Sequence, residues 1–290
     1  MLNRKGILSF LLITFGITYG IEFILILNGV RFDPMTQTQA QLVVAALMWV
    51  PAFATLITMR FVTHEKASLL NLRFGPLKPY LQAAWLVSAL FILVYGLTWL
   101  FGLDKPDWYL VAFQEMVAKY AQGKEVSPMP SPWVILPALY FASLLTAPIL
   151  NTLFAPGEEI GWRGYLLPQL MPLGKPRAYL LLGLIWSAWH WPLIWIGFDY
   201  GQSNFLAAIL VFSGLTTGLG IFLNELTLRY KSSILAGFAH SVFNSQRLGV
   251  WGLLFPGGNP LLGGCVGLIG VLTWLALGLW QIYQPVQEKV

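Results

Sequence analysis

Long apolar runs alternate with short polar connections along almost the whole chain. Eight of these runs reach the length that an α-helix needs to cross the roughly 30 Å hydrocarbon core of a bilayer. They lie near residues 6–28, 41–63, 79–103, 132–156, 176–197, 204–224, 232–255 and 261–283. The pattern therefore predicts an all-α fold, a polytopic membrane helix bundle with about eight transmembrane helices.

Residues 107–121 have a different pattern, because charged residues interrupt the apolar ones. Tyr109, Phe113 and Val117 recur at helical spacing, and Glu115 lies between them. Such a mixed stretch is typical of an amphipathic helix that lies in the membrane interface and does not span the bilayer. We expect that arrangement here.

The composition agrees with a membrane protein and excludes an ordinary soluble one. Hydrophobic residues make up 57% of the chain and charged residues only 10%, whereas soluble domains carry about 25% charged residues. No repeat or long linker divides the sequence, so we expect residues 1–290 to form a single integral membrane domain. Cys265 is the only cysteine in the sequence, which excludes an internal disulfide and leaves the redox compartment undetermined.

The net charge of +5 is spread along the chain without a basic block. This distribution indicates contact with the lipid bilayer and its anionic headgroups, and it predicts no nucleic-acid partner. The first apolar run continues past 20 residues without a small-residue cleavage site. We therefore interpret it as a retained span, not as a cleaved signal peptide. Glu22 lies well inside this run, where we expect a buried partner and a structural role.

Basic residues in the loops predict the orientation, because they concentrate on the cytoplasmic side. With the amino terminus inside, 12 of the 17 lysines and arginines fall on the cytoplasmic side. The five on the other side are Arg31, Lys105, Lys119, Lys124 and Arg247. The sequence thus predicts an integral protein of the plasma membrane with both termini in the cytoplasm.

The polar residues with the strongest functional indication lie in one stretch, residues 155–164, between apolar runs. It holds the adjacent carboxylates Glu158 and Glu159 and the basic Arg163, in a chain with only 12 acidic residues. Ionised side chains inside a membrane are rare and usually functional. On a helix, Glu159 and Arg163 share a face, whereas Glu158 points about 100° away. The spacing predicts that Glu159 pairs with Arg163 and leaves Glu158 free for chemistry; the alternative is a cytoplasmic loop with ordinary charges.

Two of the three histidines, His190 and His240, lie inside predicted spans. His240 precedes Asn244 by four residues, so their side chains share one helix face. Pro192 follows His190 closely and cannot donate a hydrogen bond to the carbonyl four residues earlier, which favours a bend in the helix near the histidine.

Together these residue types supply the parts needed to cleave an amide bond. A desolvated carboxylate beside a histidine can activate water, and a second histidine with an asparagine can hold the oxyanion that forms. No serine lies in a Gly-x-Ser-x-Gly elbow, and Cys265 has no base near it in the sequence. The residues therefore favour hydrolysis by water over attack by a side-chain nucleophile.

The order and spacing of these motifs resemble the CPBP family, the CAAX prenyl proteases and bacteriocin-processing membrane proteins. The motifs are Glu158-Glu159-x-x-x-Arg163, Trp186-x-x-x-His190 and His240-x-x-x-Asn244. They cover a core of about residues 155–250 and leave the first three spans and the last without a motif. The second motif of the family usually begins with Phe, so Trp186 is a conservative departure.

The resemblance implies a multi-helix intramembrane endopeptidase that acts on a membrane-associated peptide or protein, prenylated in the CAAX branch. It implies that the catalytic residues are Glu158, His190, His240 and Asn244, and that the site-shaping residues are Glu159 and Arg163. By this analogy the first two catalytic residues activate the water, and the other two form the oxyanion hole.

Two histidines and a glutamate can also bind zinc, so a divalent metal is the alternative to a metal-free site. The zinc-protease pattern His-Glu-x-x-His begins at His64 but has Ser68 in its fifth position. We therefore expect a glutamate-dependent mechanism with no cofactor and no metal ligands.

The rival from another functional class is a non-catalytic membrane scaffold or bacteriocin-immunity protein with the same fold. A scaffold has no need to keep the four catalytic-type residues in an apolar setting, which argues against it. A small-molecule transporter is a weaker rival, because the hydropathy shows no inverted halves or matched broken helices.

The loop charges generate a testable prediction of topology. Reporter fusions at the two ends of the chain should both report a cytoplasmic location, because an even number of spans returns the chain to its starting side. An extracytoplasmic carboxyl terminus would show that the number of spans is odd.

Overall fold

A computed structural model describes residues 2–31, 37–121, 128–145 and 153–283 of the chain. All the regular secondary structure within these ranges is helical, and they contain no β-strand. The predicted all-α membrane helix bundle is therefore confirmed.

The described ranges contain fourteen α-helices and five other helical segments. The α-helices are α1 (Arg4–Leu27), α2 (Gln37–Leu47), α3 (Val50–Thr58), α4 (Leu77–Leu100), α5 (Val111–Ala121), α6 (Pro132–Leu145), α7 (Ala155–Glu159), α8 (Leu167–Leu170), α9 (Lys175–Trp189), α10 (Trp191–Trp195), α11 (Phe205–Tyr230), α12 (Ser233–Gln246), α13 (Gly252–Leu254) and α14 (Leu268–Ile282). Wider π-helical turns cover Met59–Thr63, Ile160–Leu166 and Arg247–Trp251, and 3₁₀ turns cover Ala67–Leu70 and Met171–Leu173.

Four helical segments of the described chain are long and apolar enough to cross a membrane by themselves. They are Arg4–Leu27, Leu42–Thr63, Leu77–Leu100 and Phe205–Tyr230. Pro132–Leu144 and Leu268–Ile282 are apolar but shorter. The remaining predicted spans therefore differ from single continuous helices.

The predicted span 176–197 is interrupted at His190. Helix α9 ends at Trp189, and α10 restarts at Trp191 with Pro192 in its first turn. A proline has no N–H to continue the ladder of the preceding helix, which is the physical reason for the break. The predicted interruption near the histidine is present.

The last two predicted spans are also shorter than their apolar runs. Helix α12 passes into a π-helical segment in which Gly249 has non-helical backbone angles, φ −93° and ψ −122°. The final helix begins only at Leu268, because the glycine-rich stretch before it turns, with Gly264 at φ +71°. The predicted span 132–156 is helical up to Leu145, and residues 146–152 lie outside the described ranges.

The predicted interfacial segment contains a helix, α5, none of whose residues is buried. The Asp107 carboxylate accepts a hydrogen bond from the backbone N–H of Ala112 at 2.9 Å, which satisfies one open donor in the first turn. The helical part of the prediction is confirmed, and its position in the interface stays a prediction.

Helix α11 lies at the centre of the bundle and packs closely against α9 and α14. A Cβ atom on Gly218 would lie 2.8 Å from the backbone nitrogen of Leu275, and one on Gly183 would lie 2.7 Å from the Cα of Thr217. Only glycine permits two helix backbones to approach this closely. Close packing through glycines is common between helices in membranes.

Helix α7 is held between α3 and α12 by the same means. A Cβ atom on Gly157 would lie 2.6 Å from the carbonyl oxygen of Met48, and one on Gly161 would collide with Pro51. On the other side, Gly237 of α12 packs against Pro156. The two glutamates that follow Gly157 are therefore fixed in the bundle interior.

One end of the bundle is tied together by hydrogen bonds around the α11–α12 turn. The Arg73 Nε donates to the carbonyl of Lys231 at 2.8 Å, and the Ser232 hydroxyl donates to the carbonyl of Arg73 at 2.5 Å. The Ser233 N–H donates to the carbonyl of Asn71 at 3.1 Å. These contacts join the loop before α4 to the start of α12.

Glu22 is fully buried in α1. Among the described residues, neither of its carboxylate oxygens has a hydrogen-bond partner. The predicted burial is confirmed, but the expected partner is absent from the described part of the chain.

Candidate active site

A cavity of about 820 Å³ lies between α7, the α9–α10 break, α11 and α12. Its wall is mainly apolar and includes all the residues predicted to be catalytic, namely Glu158, His190, His240 and Asn244. These residues come from three separate helical segments, so the fold brings together groups that lie up to 86 positions apart (244 minus 158). The candidate site is therefore one contiguous space.

Glu158 lies on α7 and is only 2% exposed. Its Oε2 accepts hydrogen bonds from two indole N–H groups, that of Trp186 at 2.7 Å and that of Trp162 at 3.3 Å. Both donors converge on one carboxylate oxygen, which fixes the side chain. The second oxygen, Oε1, takes no part in these two bonds.

Glu159 has the opposite kind of environment, an ion-pair network. Its Oε1 lies 2.9 Å from the Arg163 Nη1 and 2.8 Å from the His240 Nδ1, and both Glu159 and Arg163 are fully buried. Arg163 also donates from Nε to the Oδ1 of Asn224 at 3.1 Å. The predicted pairing of Glu159 with Arg163 is confirmed, and the different orientation of Glu158 follows from the helical spacing.

Trp186 connects the separate parts of the site. Besides its bond to Glu158, its ring lies 4.3 Å from the Arg163 guanidinium carbon and 5.3 Å from the centre of the His240 ring. Its backbone carbonyl is 2.9 Å from the His190 Nδ1. The sequence presents Trp186 as a conservative replacement of phenylalanine. It does not predict the role of the indole N–H, a hydrogen-bond donor that phenylalanine lacks.

The hydrogen bonds also determine which nitrogen of each histidine carries a proton. A carbonyl oxygen only accepts, so the His190 Nδ1 must be protonated to bond Trp186. The His240 Nδ1 likewise donates to the Glu159 carboxylate. In a neutral ring the Nε2 atom is then an acceptor, and it becomes a donor only in the charged imidazolium.

The His190 ring is positioned by aromatic side chains. Its centre lies 4.7 Å from that of Trp189, 4.9 Å from that of Phe212 and 6.1 Å from that of Phe198, which stacks on it at an interplanar angle of 19°. These contacts come from α9, α11 and the loop after α10, so the ring is held from three directions.

Asn244 lies one turn after His240 on α12, half-buried, and reaches the same cavity. The shared helix face that the spacing predicts is therefore present. Because an amide nitrogen carries two N–H groups, Asn244 can donate towards a ligand in the cavity.

Sequence reasoning missed several residues of the site. The topology prediction counts Arg247 only as a charge on the extracytoplasmic side, but this residue lines the cavity and forms an ion pair with Asp199. Its spacing of three residues from Asn244 was the signal that could have revealed it. Trp162 follows Glu158 by four residues, and this helical spacing could likewise have revealed it. Asn224 left no such signal, because its bond to Arg163 joins two distant segments.

The residues present do not fit a zinc site with three protein ligands. Among the described residues, no group of three or more histidine, cysteine, aspartate or glutamate side chains is close enough to hold a metal ion.

Comparison with known proteins agrees with this part of the structure. Residues 133–246 match the family model described as type II CAAX prenyl endopeptidase Rce1-like. The chain is also 36% identical over 100 residues to CAAX prenyl protease 2 of Methanococcus maripaludis, a stretch that covers 33% of this chain and 37% of that relative. The matched region of the family model contains the four residues predicted to be catalytic and both residues predicted to shape the site.

The different environments of the two glutamates generate a prediction about stability. Glu159→Gln should lower the free energy of unfolding by about 3–5 kcal/mol, because it leaves Arg163 buried without its counter-charge. Glu158→Gln should change stability much less, because an amide oxygen can still accept from the two indoles. Thermal unfolding of the purified variants in detergent measures the difference, and equal stability of the two would contradict the assigned ion pair.

Proposed function

We propose that this chain, whose residues 133–246 match the Rce1-like CAAX prenyl endopeptidase family model, is an intramembrane endopeptidase. The observation that carries the proposal is the cavity in which Glu158, His190, His240 and Asn244 meet. The reaction is the hydrolysis of a peptide bond by a water molecule that the glutamate activates.

Glu158 is the group suited to activate the water. Its Oε2 is held by two indoles, so Oε1 is the oxygen that can accept a proton from a water molecule in the cavity. The Nε2 of neutral His190 is an acceptor and can hold the same water in place. As the water oxygen attacks the carbonyl carbon, its proton passes to Glu158, which then returns it to the departing amine.

His240 and Asn244 are suited to stabilise the oxyanion that forms on the substrate. Asn244 donates from its amide nitrogen. His240 donates from Nε2 only as an imidazolium, and the Glu159 carboxylate at 2.8 Å from Nδ1 supports that charge. Glu159 and Arg163 thus act through His240 and have no direct contact with the reacting atoms.

A metal-independent mechanism is part of the proposal. It is supported by the poor fit of the described residues to a three-ligand zinc site. Each of the four residues has a role in hydrolysis that requires only its own proton donors and acceptors.

The second candidate function is a non-catalytic scaffold or immunity protein. A scaffold requires only packing, yet two indoles are oriented on a single carboxylate oxygen that faces a cavity. This arrangement favours the enzyme. A scaffold could have an apolar residue at position 158, and no indole N–H would then be needed to satisfy a buried carboxylate there.

The substrate that we propose is a membrane-associated peptide or protein, with a prenylated CAAX-type peptide as the first candidate. The relative from Methanococcus maripaludis is named a CAAX prenyl protease, and the mainly apolar wall of the cavity suits an apolar peptide segment.

The cavity lies towards the end of the bundle where α9 and α12 finish and α11 begins. The opposite end is the one joined by Arg73 and the α11–α12 turn. The loop charges predict that the cavity end faces the extracytoplasmic side. A cytoplasmic substrate requires the reverse orientation, so the topology of the chain bears directly on the choice of substrate.

The central test uses Glu158→Gln in the full-length protein, with an internally quenched S-farnesyl peptide as substrate. The variant should fold and lose cleavage, because a neutral amide cannot take the proton from water. Cleavage by Glu158→Gln at the wild-type rate would refute the role of the glutamate.

Metal independence has a test of its own. Wild-type activity should persist after chelation, and elemental analysis should find no stoichiometric zinc. Loss of activity on chelation, with recovery on addition of zinc, would refute metal independence.

A second prediction concerns the oxyanion hole. Asn244→Ala should reduce kcat by a factor of about 10² to 10³ with a smaller change in KM, because the bond strengthens in the transition state. Thermal stability should remain close to that of the wild type. A variant that loses stability but keeps its turnover per folded molecule would identify Asn244 as a helix-packing residue instead.

A further inference from the structure

The cavity contains a charged pair that the hydrolytic reaction does not use. Arg247 and Asp199 form an ion pair in its wall, and their side chains are 15% and 3% exposed. Of the described residues that line the cavity, Arg247 is the only lysine or arginine. A positive group in an apolar cavity is a suitable partner for an anionic group of a ligand.

The position of Arg247 relative to the catalytic residues follows from a stack of side chains. Its guanidinium carbon lies 5.3 Å from the centre of the Phe198 ring, and that ring centre lies 6.1 Å from the centre of the His190 ring. The guanidinium is therefore within roughly 11 Å of His190, which an extended peptide covers in about three residues.

The chain also places Arg247 next to the proposed oxyanion hole. It follows Asn244 by three residues, so the two positions are separated by roughly 4.5 Å of helix rise and lie on a similar face. A peptide whose carbonyl is held at Asn244 would thus reach the Arg247 guanidinium a few residues further along its own chain.

The ion pair with Asp199 orients the guanidinium without using all its donors. A guanidinium has five N–H donors, and Asp199 pairs with the Nη2 atom. The Nε and Nη1 groups are outside that pair. Asp199 itself lies in a turn, with φ +64°, a backbone conformation that aspartate tolerates better than most residues.

We propose that Arg247, oriented by Asp199, is a specificity-determining subsite that binds a carboxylate of the peptide substrate within about three residues of the scissile bond. This inference depends on the proposed peptidase function and adds a substrate requirement to it. The carboxylate comes either from the free carboxyl terminus of the peptide or from an acidic side chain near the cleavage point.

The competing explanation is that the ion pair only ties the loop after α10 to α12. Such a contact affects the stability of the protein but has no means of distinguishing one peptide from another. Discrimination between matched substrates therefore separates the two explanations.

The experiment uses three S-farnesyl peptides that differ only near their carboxyl end. The first ends in a free carboxylate, the second in an amide, and the third in an amide with a glutamate within three residues of the cleaved bond. The ratios of kcat/KM among them are measured for the full-length wild type and for Arg247→Gln. The dissociation constants of the same peptides are measured in parallel.

The wild type should prefer at least one carboxylate-bearing peptide over the plain amide by about 10- to 100-fold, the range expected for a hydrogen-bonded charge. Preference for the first peptide identifies a terminal carboxylate, and preference for the third identifies an acidic side chain. Arg247→Gln should bring the ratio close to one. Arg229→Gln is the matched control, because that arginine bonds the Gln281 carbonyl outside the cavity, and its ratio should equal that of the wild type.

Equal cleavage of all three peptides by the wild type would overturn the subsite and leave the peptidase function intact. If the wild type cleaves none of the three peptides and behaves like Glu158→Gln, the peptidase function is overturned. In that case the ratios of the dissociation constants still test the subsite. If Arg247→Gln fails to fold, Arg247→Lys replaces it, because lysine keeps the charge but loses the planar fork. An unchanged ratio in Arg247→Lys would refute recognition by the guanidinium.

Discussion

The Glu159 carboxylate is the group on which the geometry of the site depends. One of its oxygens contacts both Arg163 and His240, and the carboxylate and the arginine are completely buried. A buried charge of either sign is unfavourable unless it is paired, so each partner requires the other. This requirement fixes α7 against α12 and orients the His240 ring towards the cavity.

A second set of contacts extends from that ion pair to the rest of the site. Trp186 packs under the Arg163 guanidinium and donates its N–H to Glu158. Its carbonyl determines the proton position on His190. Glu158 and His240 are consequently connected through one side chain, while the glycines around α7 allow the backbones to approach closely enough for these bonds to form.

The sequence predicted what depends on local spacing and on the hydrophobic pattern. The helical character, the pairing of Glu159 with Arg163 and the shared face of His240 and Asn244 all follow from the 3.6-residue period of a helix. The sequence could not predict contacts between segments, such as Trp186 with Glu158. It also overestimated the last helix, because the run before Leu268 is apolar enough to span but contains glycines that turn the chain.

The arrangement of the site has a consequence for the biosynthesis of the protein. The chain is made from its amino terminus, and His240 and Asn244 follow Glu158 by more than 80 residues (240 minus 158 is 82). Until α12 has been synthesised and inserted, the Glu158 carboxylate faces a space without His240 and Asn244. Under the mechanism that we propose, a chain still on the ribosome and any product truncated before α12 therefore cannot cleave a peptide. The order of the motifs along the chain delays completion of the candidate site until the bundle is nearly complete.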